Sequence, residues 1–226
     1  MINKITNYFH IIHNLYIKEK VFLRKKTYSQ EKSDIIIDKF FKEKKNGFFV
    51  DVGCFHPTRM NNTFLLYQRG WRGINIDISK FSIDLFNFKR PNDINIQAAV
   101  SGKNEIKNLY YQKNFSLIST LDKDLASKRF QGKIKEKKIE CFTLNYLIET
   151  SKYQNDRIDF LSIDTEGMDE IILETLDFEK YYPRLICAED SVMNRNYKDT
   201  NLYKILKPKG YKHLWSSYVN HLFFFE

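Results

Sequence analysis

Apolar positions along the chain follow two different periods. Short runs rich in Ile, Val, Phe and Leu at residues 48–52, 73–77, 94–100, 159–164 and 184–189 have the length of strands buried on both faces. Between them the spacing becomes helical. It predicts helices near 61–69, closed by Gly70; over 80–89, ended by Pro91; and over 143–149, 169–175 and 200–206. Residues 29–46 predict a helix with Ser33 as N-cap and Ile36, Ile37, Phe40 and Phe41 as its apolar positions. Residues 1–28 predict an amphipathic helix with Ile5, Tyr8, Phe9, Ile12, Leu15 and Tyr16 on one face, followed by the basic run Arg24-Lys25-Lys26. Residues 212–215 and 219–225 predict a closing antiparallel hairpin about Ser216-Ser217. The pattern is weakest over 105–140, where 106–111 reads as a strand and 123–132 as a loop or short helix.

Strands alternating with helices imply an α/β fold: an open, mostly parallel sheet with helices on both faces and an antiparallel hairpin at one edge. A chain of 226 residues suits one domain with an appendage, divided here into a helical extension, 1–45, and an α/β domain, 46–226. With 42% hydrophobic and 15% aromatic residues the chain has the material for a core, which excludes a disordered class. No run approaches the ~20 apolar residues of a membrane-spanning helix. No apolar segment follows the first lysine as a secretory signal requires. Cys54, Cys141 and Cys187 are widely spaced, which argues against a disulfide framework or zinc knuckle and for a reducing cytoplasm.

The net charge is +9, and residues 1–28 supply more than half of it, with Lys4, Lys18, Lys20, Arg24, Lys25 and Lys26 against Glu19 alone. No nucleic-acid-binding signature accompanies the charge, so nucleic acid is not an expected partner. Two readings of the first helix stand: packing on the body or on a second copy, or lying on an anionic membrane at its inner face.

In open α/β sheets ligands bind outside the carboxyl ends of the strands, at the topological switch point. The first strand ends in Asp51-Val52-Gly53-Cys54-Phe55-His56-Pro57, where Gly53 suits a tight turn or close approach of a ligand. The dinucleotide fingerprint GxGxxG is absent. The second strand ends in Asp77, whose carboxylate can accept ribose hydroxyls or cap the next helix. The fourth ends in Asp164-Thr165-Glu166-Gly167 and the fifth in Glu189-Asp190. Carboxylates gathered at adjacent strand ends need shared protons, basic partners or a hard cation such as Mg²⁺, Mn²⁺ or Ca²⁺. Asp164, Glu189 and Asp190 form the candidate metal set. His56, with an ordinary pKa near 6.5, is either a base or a packed loop residue.

Taken together these segments resemble the FkbM family of S-adenosylmethionine-dependent methyltransferases. The resemblance rests on Phe49-Val50-Asp51-Val52-Gly53-Cys54-Phe55-His56-Pro57 with Asn61-Asn62-Thr63, on Gly70-Trp71-Arg72-Gly73-Ile74-Asn75-Ile76-Asp77, and on Arg90-Pro91-Asn92-Asp93. Ala98-Ala99-Val100-Ser101 and Ile163-Asp164-Thr165-Glu166-Gly167-Met168-Asp169 complete it. It covers residues 47–190 and leaves out the first helix and the closing hairpin. Ser79-Lys80-Phe81 stands where many relatives have a proline.

The resemblance implies a class I, Rossmann-like fold with a seven-stranded sheet, and S-adenosylmethionine as cofactor. It implies Asp51 and Gly53 beside the methionine part, Asp77 at the ribose, Ala98 and Ala99 around the adenine, and Asn62 and Thr63 at the carboxylate or sulfonium end, with Cys54 and Ile78 among the cofactor-binding residues. It further implies O-methylation of a small-molecule or glycan acceptor, such as a phosphorylated sugar precursor of a surface polysaccharide. His56, Asp164 and Glu166 are the candidate catalytic groups. A methyltransferase for another small acceptor, or a cofactor-binding module without catalysis, are the alternatives, and a homo-oligomer is compatible with either.

Overall fold

The computed structural model describes residues 2–18, 26–112, 119–190 and 192–226, with side chains from residue 5 onward. Arg24 and Lys25 of the basic run lie outside them. Helix α1 (Ile2–Ile12) runs into a widened π-helical turn at His13–Lys18, and α2 (Ser33–Phe40) follows. The central elements are β1 (Phe48–Val52), α3 (Phe64–Gln68), β2 (Arg72–Asp77), α4 (Lys80–Lys89) and β3 (Ile94–Gln97). Next come β4 (Ala99–Val100), β5 (Glu105–Tyr111), α5 (Lys123–Arg129), β6 (Lys135–Phe142) and α6 (Leu144–Glu149). The chain ends with β7 (Phe160–Ile163), α7 (Asp169–Thr175), β8 (Leu185–Glu189), α8 (Asn201–Leu206), β9 (Lys212–Ser216) and β10 (Asn220–Phe224).

Seven strands form the main sheet in the order β3-β2-β1-β7-β8-β10-β9. The five central strands are parallel, and β10 is antiparallel to both neighbours. The hairpin therefore does not simply add an antiparallel edge: β10 inserts beside β8, and the edge strand β9 runs with the parallel set. The chain moves outward from β1 to β3 and returns to the other side of β1 as β7, so the switch point falls between β1 and β7. Register aligns Val52 with both Ile76 and Ile163, and Ile163 with Ala188, which brings residues 53, 77, 164 and 189 to one edge.

A second sheet, β4-β6-β5, was not legible in the sequence. Residues 94–100 do not form one strand. The Ala98 amide donates to the Asp77 carbonyl (3.1 Å), after which the chain leaves the main sheet and Ala99 and Val100 pair with β6. Strand β6 opens on exposed Lys135, Glu136, Lys137 and Lys138, and only Cys141 is buried, so its apolar signal is nearly absent.

Side chains of β1 alternate between two cores, as the pleat requires. Phe48, Val50 and Val52 face α6, α7 and α8, whereas Phe49 faces the cluster of Ile37, Phe41, Trp71, Phe160, Leu185 and Leu222. Helix α2 thus belongs to the core. Its start differs from expectation: the Ser33 hydroxyl donates to Asn62 Oδ1 (2.7 Å) instead of capping the helix. The Asp34 carboxylate accepts from Thr27 Oγ1, the Tyr28 amide and Ser29 Oγ, folding residues 27–29 back over the first turn. Of the six apolar positions assigned to one face of the first helix only Leu15 is buried; with Ile11 it packs on Leu85 and Phe81.

Candidate active site

A cleft of about 550 Å³ opens at the carboxyl ends of β1, β2, β7 and β8. Its floor begins at Gly53. The Gly53 and Cys54 amides both donate to the Ile76 carbonyl (2.9 and 3.1 Å), closing the β1 turn onto β2. Gly53 has φ +79, and a Cβ there would lie 1.8 Å from the Asp164 carbonyl oxygen. Only glycine lets the β1 turn cross the end of β7 at this distance.

Asp77 faces the cleft. Its Oδ2 accepts from the Phe55 amide (2.8 Å) and its Oδ1 from the Ser79 amide (2.7 Å), so two backbone amides fix the carboxylate at the cleft. Burial raises its pKa to about 6. Ile76, Ile78, Ala98, Ala99 and Val100 give the adjoining wall an apolar surface.

Asp51 shares the parity of Phe49 and points behind the cleft. Its Oδ2 accepts from Asn61 Nδ2 (3.0 Å) and Thr63 Oγ1 (2.9 Å). The fully buried Arg90 completes this cluster, donating to Thr63 Oγ1 (2.8 Å), Asn61 Oδ1 (2.7 Å) and the Pro57 carbonyl. The Asn62 amide reaches Ser162 Oγ (3.1 Å) below β7. His56 is fully buried, with Nδ1 accepting from the Thr58 amide (3.2 Å); burial and the nearby Arg59 and Arg90 lower its pKa to about 3. Asp51, Cys54, His56, Asn62 and Thr63 therefore do not line the cleft, contrary to expectation. They build the loop that shapes it. His56 is packed away from the cleft, the second of the two placements its sequence position allowed, and Asn61, Thr63 and Arg90 form a buried cluster.

The acids after β7 and β8 divide in the same way. Asp164 opens into the cleft, ringed by protein, and Glu189 stands beside it. Burial and the Glu189 carboxylate push the Asp164 carboxyl well above the ordinary range. Glu189 is raised by its own burial, and the hydrogen bond from Asp164 offsets part of the rise. Two carboxyls this close cannot both ionise without repulsion. Asp190 does not join them: Oδ1 accepts from the Val192 amide (3.0 Å) and Oδ2 faces Arg195 Nε (3.5 Å). Among the described residues, Asp164, Glu166 and Glu189 form a group whose carboxylate oxygens lie within 4.8 Å of one another.

Glu166 adopts a left-handed backbone, φ +54, and its side chain pairs with Arg129 of α5. Thr120 Oγ1 donates to the Glu166 carbonyl (2.6 Å), so the segment beside β5 clasps the turn after β7. Asp169 braces that turn from below, accepting from Thr165 Oγ1 (2.7 Å), the Thr165 amide and the Glu189 amide (both 3.1 Å). Gly53, Asp77, Ile78, Ala98, Ala99, Asp164, Glu166 and Glu189 are the expected residues that the fold brings together. Arg129 was missed, because a single arginine in a polar segment carries no sequence signal. Asp169 was quoted only as part of a motif, although an acid three residues past a tight turn and opening a helix has the pattern of a turn brace.

The model of the FkbM methyltransferase domain matches residues 51–212, most of the chain. Among solved structures, a TehB-like SAM-dependent methyltransferase from Corynebacterium glutamicum is similar at 10% identity, over 98% of this chain and 97% of that chain, with a TM-score of 0.47. The 1,6-didemethyltoxoflavin-N1-methyltransferase of Burkholderia thailandensis, bound to 1,6-didemethyltoxoflavin and S-adenosylhomocysteine, is similar at 9% identity, over 97% of this chain and 88% of that chain, with a TM-score of 0.44. Monomeric WbdD gives 9% identity over 84% of this chain and 40% of its own, also at 0.44. No match was found among curated proteins. The matched domain runs from β1 to the start of β9 and holds the switch point, the Gly53 crossing and Asp77, and on that match the chain belongs to the FkbM family of S-adenosylmethionine-dependent methyltransferases.

Proposed function

We propose that the cleft holds S-adenosylmethionine across the switch point and that the chain methylates a hydroxyl oxygen of a small acceptor. The acceptor class that suits it best is a sugar of a surface-polysaccharide precursor, nucleotide-linked or lipid-linked. The observation that carries this reading is one cleft containing both the amide-anchored Asp77 and the closely spaced carboxyls of Asp164 and Glu189.

The cleft fits the cofactor. Its volume lies within the range of roughly 300–1,000 Å³ common for small-molecule sites. The Asp77 carboxylate suits ribose hydroxyls, Ile78, Ala98 and Ala99 suit the faces of an adenine, and Gly53 leaves room for the main chain to approach the methionine part. When bound, the cofactor supplies an electrophilic methyl group on a good leaving group. A sugar hydroxyl is a weak nucleophile until it loses its proton. Glu189, with Asp164 beside it, accepts that proton, and the raised pKa of the pair brings it toward the value a base needs near neutrality. Arg129 neutralises Glu166 and keeps the turn that presents Asp164 in place.

A second reading has one observation in its favour. The spacing of the Asp164, Glu166 and Glu189 oxygens suits a hard divalent cation. In that reading Arg129 must release Glu166, and Asp190 takes no part.

The test is methyl transfer from labelled S-adenosylmethionine to a panel of nucleotide sugars and other hydroxylated acceptors, with and without chelator. Transfer to oxygen that survives chelation supports the carboxyl pair as base. Loss on chelation, restored by Mg²⁺, assigns the cluster to a cation. Transfer to nitrogen alone overturns the oxygen reading, and cofactor binding without transfer to any acceptor points to a binding module.

A further inference from the structure

Helix α1 and the turn after it carry two apolar stripes, and the protein uses one. Ile11 and Leu15 are buried against Leu85 and Phe81 of α4, and Asn7 Nδ2 donates to Asp84 (3.2 Å). The other stripe stays in solvent: Phe9 is 66% exposed, Ile17 63%, Tyr8 55% and Ile5 54%. Phe88 of α4 extends it through an edge contact with Tyr8, 5.8 Å between ring centroids. Residues 2–18 include Lys4 and Lys18 with His10 and His13, and no Asp or Glu. Lys89 lies over the Tyr16 ring at 5.1 Å, and the nearby carboxylate, Asp84, is tied to Lys80 (2.8 Å).

We propose that α1 docks the protein on the surface of an anionic lipid bilayer. The exposed aromatic and aliphatic stripe enters the headgroup boundary, and Lys18 and Lys89 meet lipid phosphates. A helix with a wide apolar face, cationic flanks and low overall hydrophobicity lies in the interface plane without crossing. Tyr and the stems of Lys suit that boundary, being apolar along their length and polar at the tip. Charge decides against a second copy as the occupant. In a two-fold interface the patch meets itself, so Lys18 and Lys89 would approach their own equivalents with no carboxylate of α1 to receive them. An anionic surface receives all of these cations at once. Among the described residues none from α1 lines the cleft, so docking and catalysis are separable by mutation.

The test is flotation of the full chain with vesicles of phosphatidylcholine alone or with about one third phosphatidylglycerol. Binding is expected to the anionic vesicles only, and to fall steeply near 1 M salt, where the Debye length is about 3 Å. Phe9→Glu should lower the bound fraction about tenfold or more, because it places a charge in the apolar face. Lys18→Glu should lower it less, and both variants should keep the wild-type melting temperature, since both sites are exposed. Absence of binding to anionic vesicles, or binding that Phe9→Glu leaves intact, overturns the proposal. So does a concentration-dependent dimer in sedimentation that Phe9→Glu dissolves while lipid binding is absent, an outcome that assigns the stripe to a second copy.

Discussion

At Gly53 the left-handed backbone and the Asp164 carbonyl 1.8 Å from any added Cβ leave no room for a side chain. Gly53→Ala must push the β1 turn off the end of β7. The expected cost is about 3 kcal/mol or more, a fall in Tm of roughly 6–12 °C at this size, measurable by scanning calorimetry, with loss of cofactor binding. His56 supplies a pH signature of stability. Its folded pKa, lowered to about 3, lies below the unfolded value near 6.5, so the unfolded chain takes up a proton that the folded chain refuses. The stability this contributes is complete above pH 6.5 and is lost as pH falls toward 3. Denaturant titrations should therefore show wild type losing roughly 2–3 kcal/mol relative to His56→Gln between pH 7 and 4.5. If the Asp164–Glu189 pair is the proposed base, its raised carboxyls should make turnover fall on the acid side at a pH above the ordinary carboxylate range. Glu189→Gln should reduce kcat by about 10²-fold or more while leaving cofactor affinity nearly unchanged. At this scale the sequence located acids at strand ends but not their directions. Alternation along β1 contained the answer for Asp51, which shares the face of Phe49, whereas Glu189 and Asp190 lie past or at the end of β8, where loop hydrogen bonds decide the direction.

Among the elements, α2 and α1 look alike as sequence, two short amphipathic helices before the first strand, yet they do different work. In α2 and at its C-cap, Ile37 and Phe41 are buried against Trp71, Phe49 and Phe160, with the Phe41 and Trp71 rings 4.8 Å apart. Phe41→Ala should cost about 3–5 kcal/mol and lower Tm by roughly 6–20 °C. Phe9→Ala on the exposed stripe of α1 should leave Tm unchanged, and equal losses for the two would contradict the placing of Phe41 in the core and Phe9 in solvent. Periodicity identified both helices because it reports a face, but it cannot say what covers that face. The strands of the main sheet were legible for the opposite reason. Leu161, Ile163, Leu185, Ile186 and Cys187 are buried on both faces, so their runs are apolar without interruption. Strand β6 was illegible because its lysines stay in water and it earns its place by backbone pairing with β5. With it went the second sheet, and Arg129, whose position depends on the connection between β5 and β6.

For the whole molecule, the order of the strands and the reversal at β1 and β7 assemble one cleft from four strand ends, and the surface helix stands apart from it. The family is settled by the matched domain, and the seat proposed for the cofactor rests on Asp77, buried, fixed by two backbone amides and open to the cleft. The most direct measurement is calorimetric titration of S-adenosylmethionine and S-adenosylhomocysteine into wild type and Asp77→Ala. Expected is one site per chain, weakened by about 2–4 kcal/mol in the variant through loss of two charge-assisted hydrogen bonds, in protein that calorimetry shows to remain folded. Equal affinity in the two proteins, or no binding to wild type, would contradict the seat assigned to the cofactor.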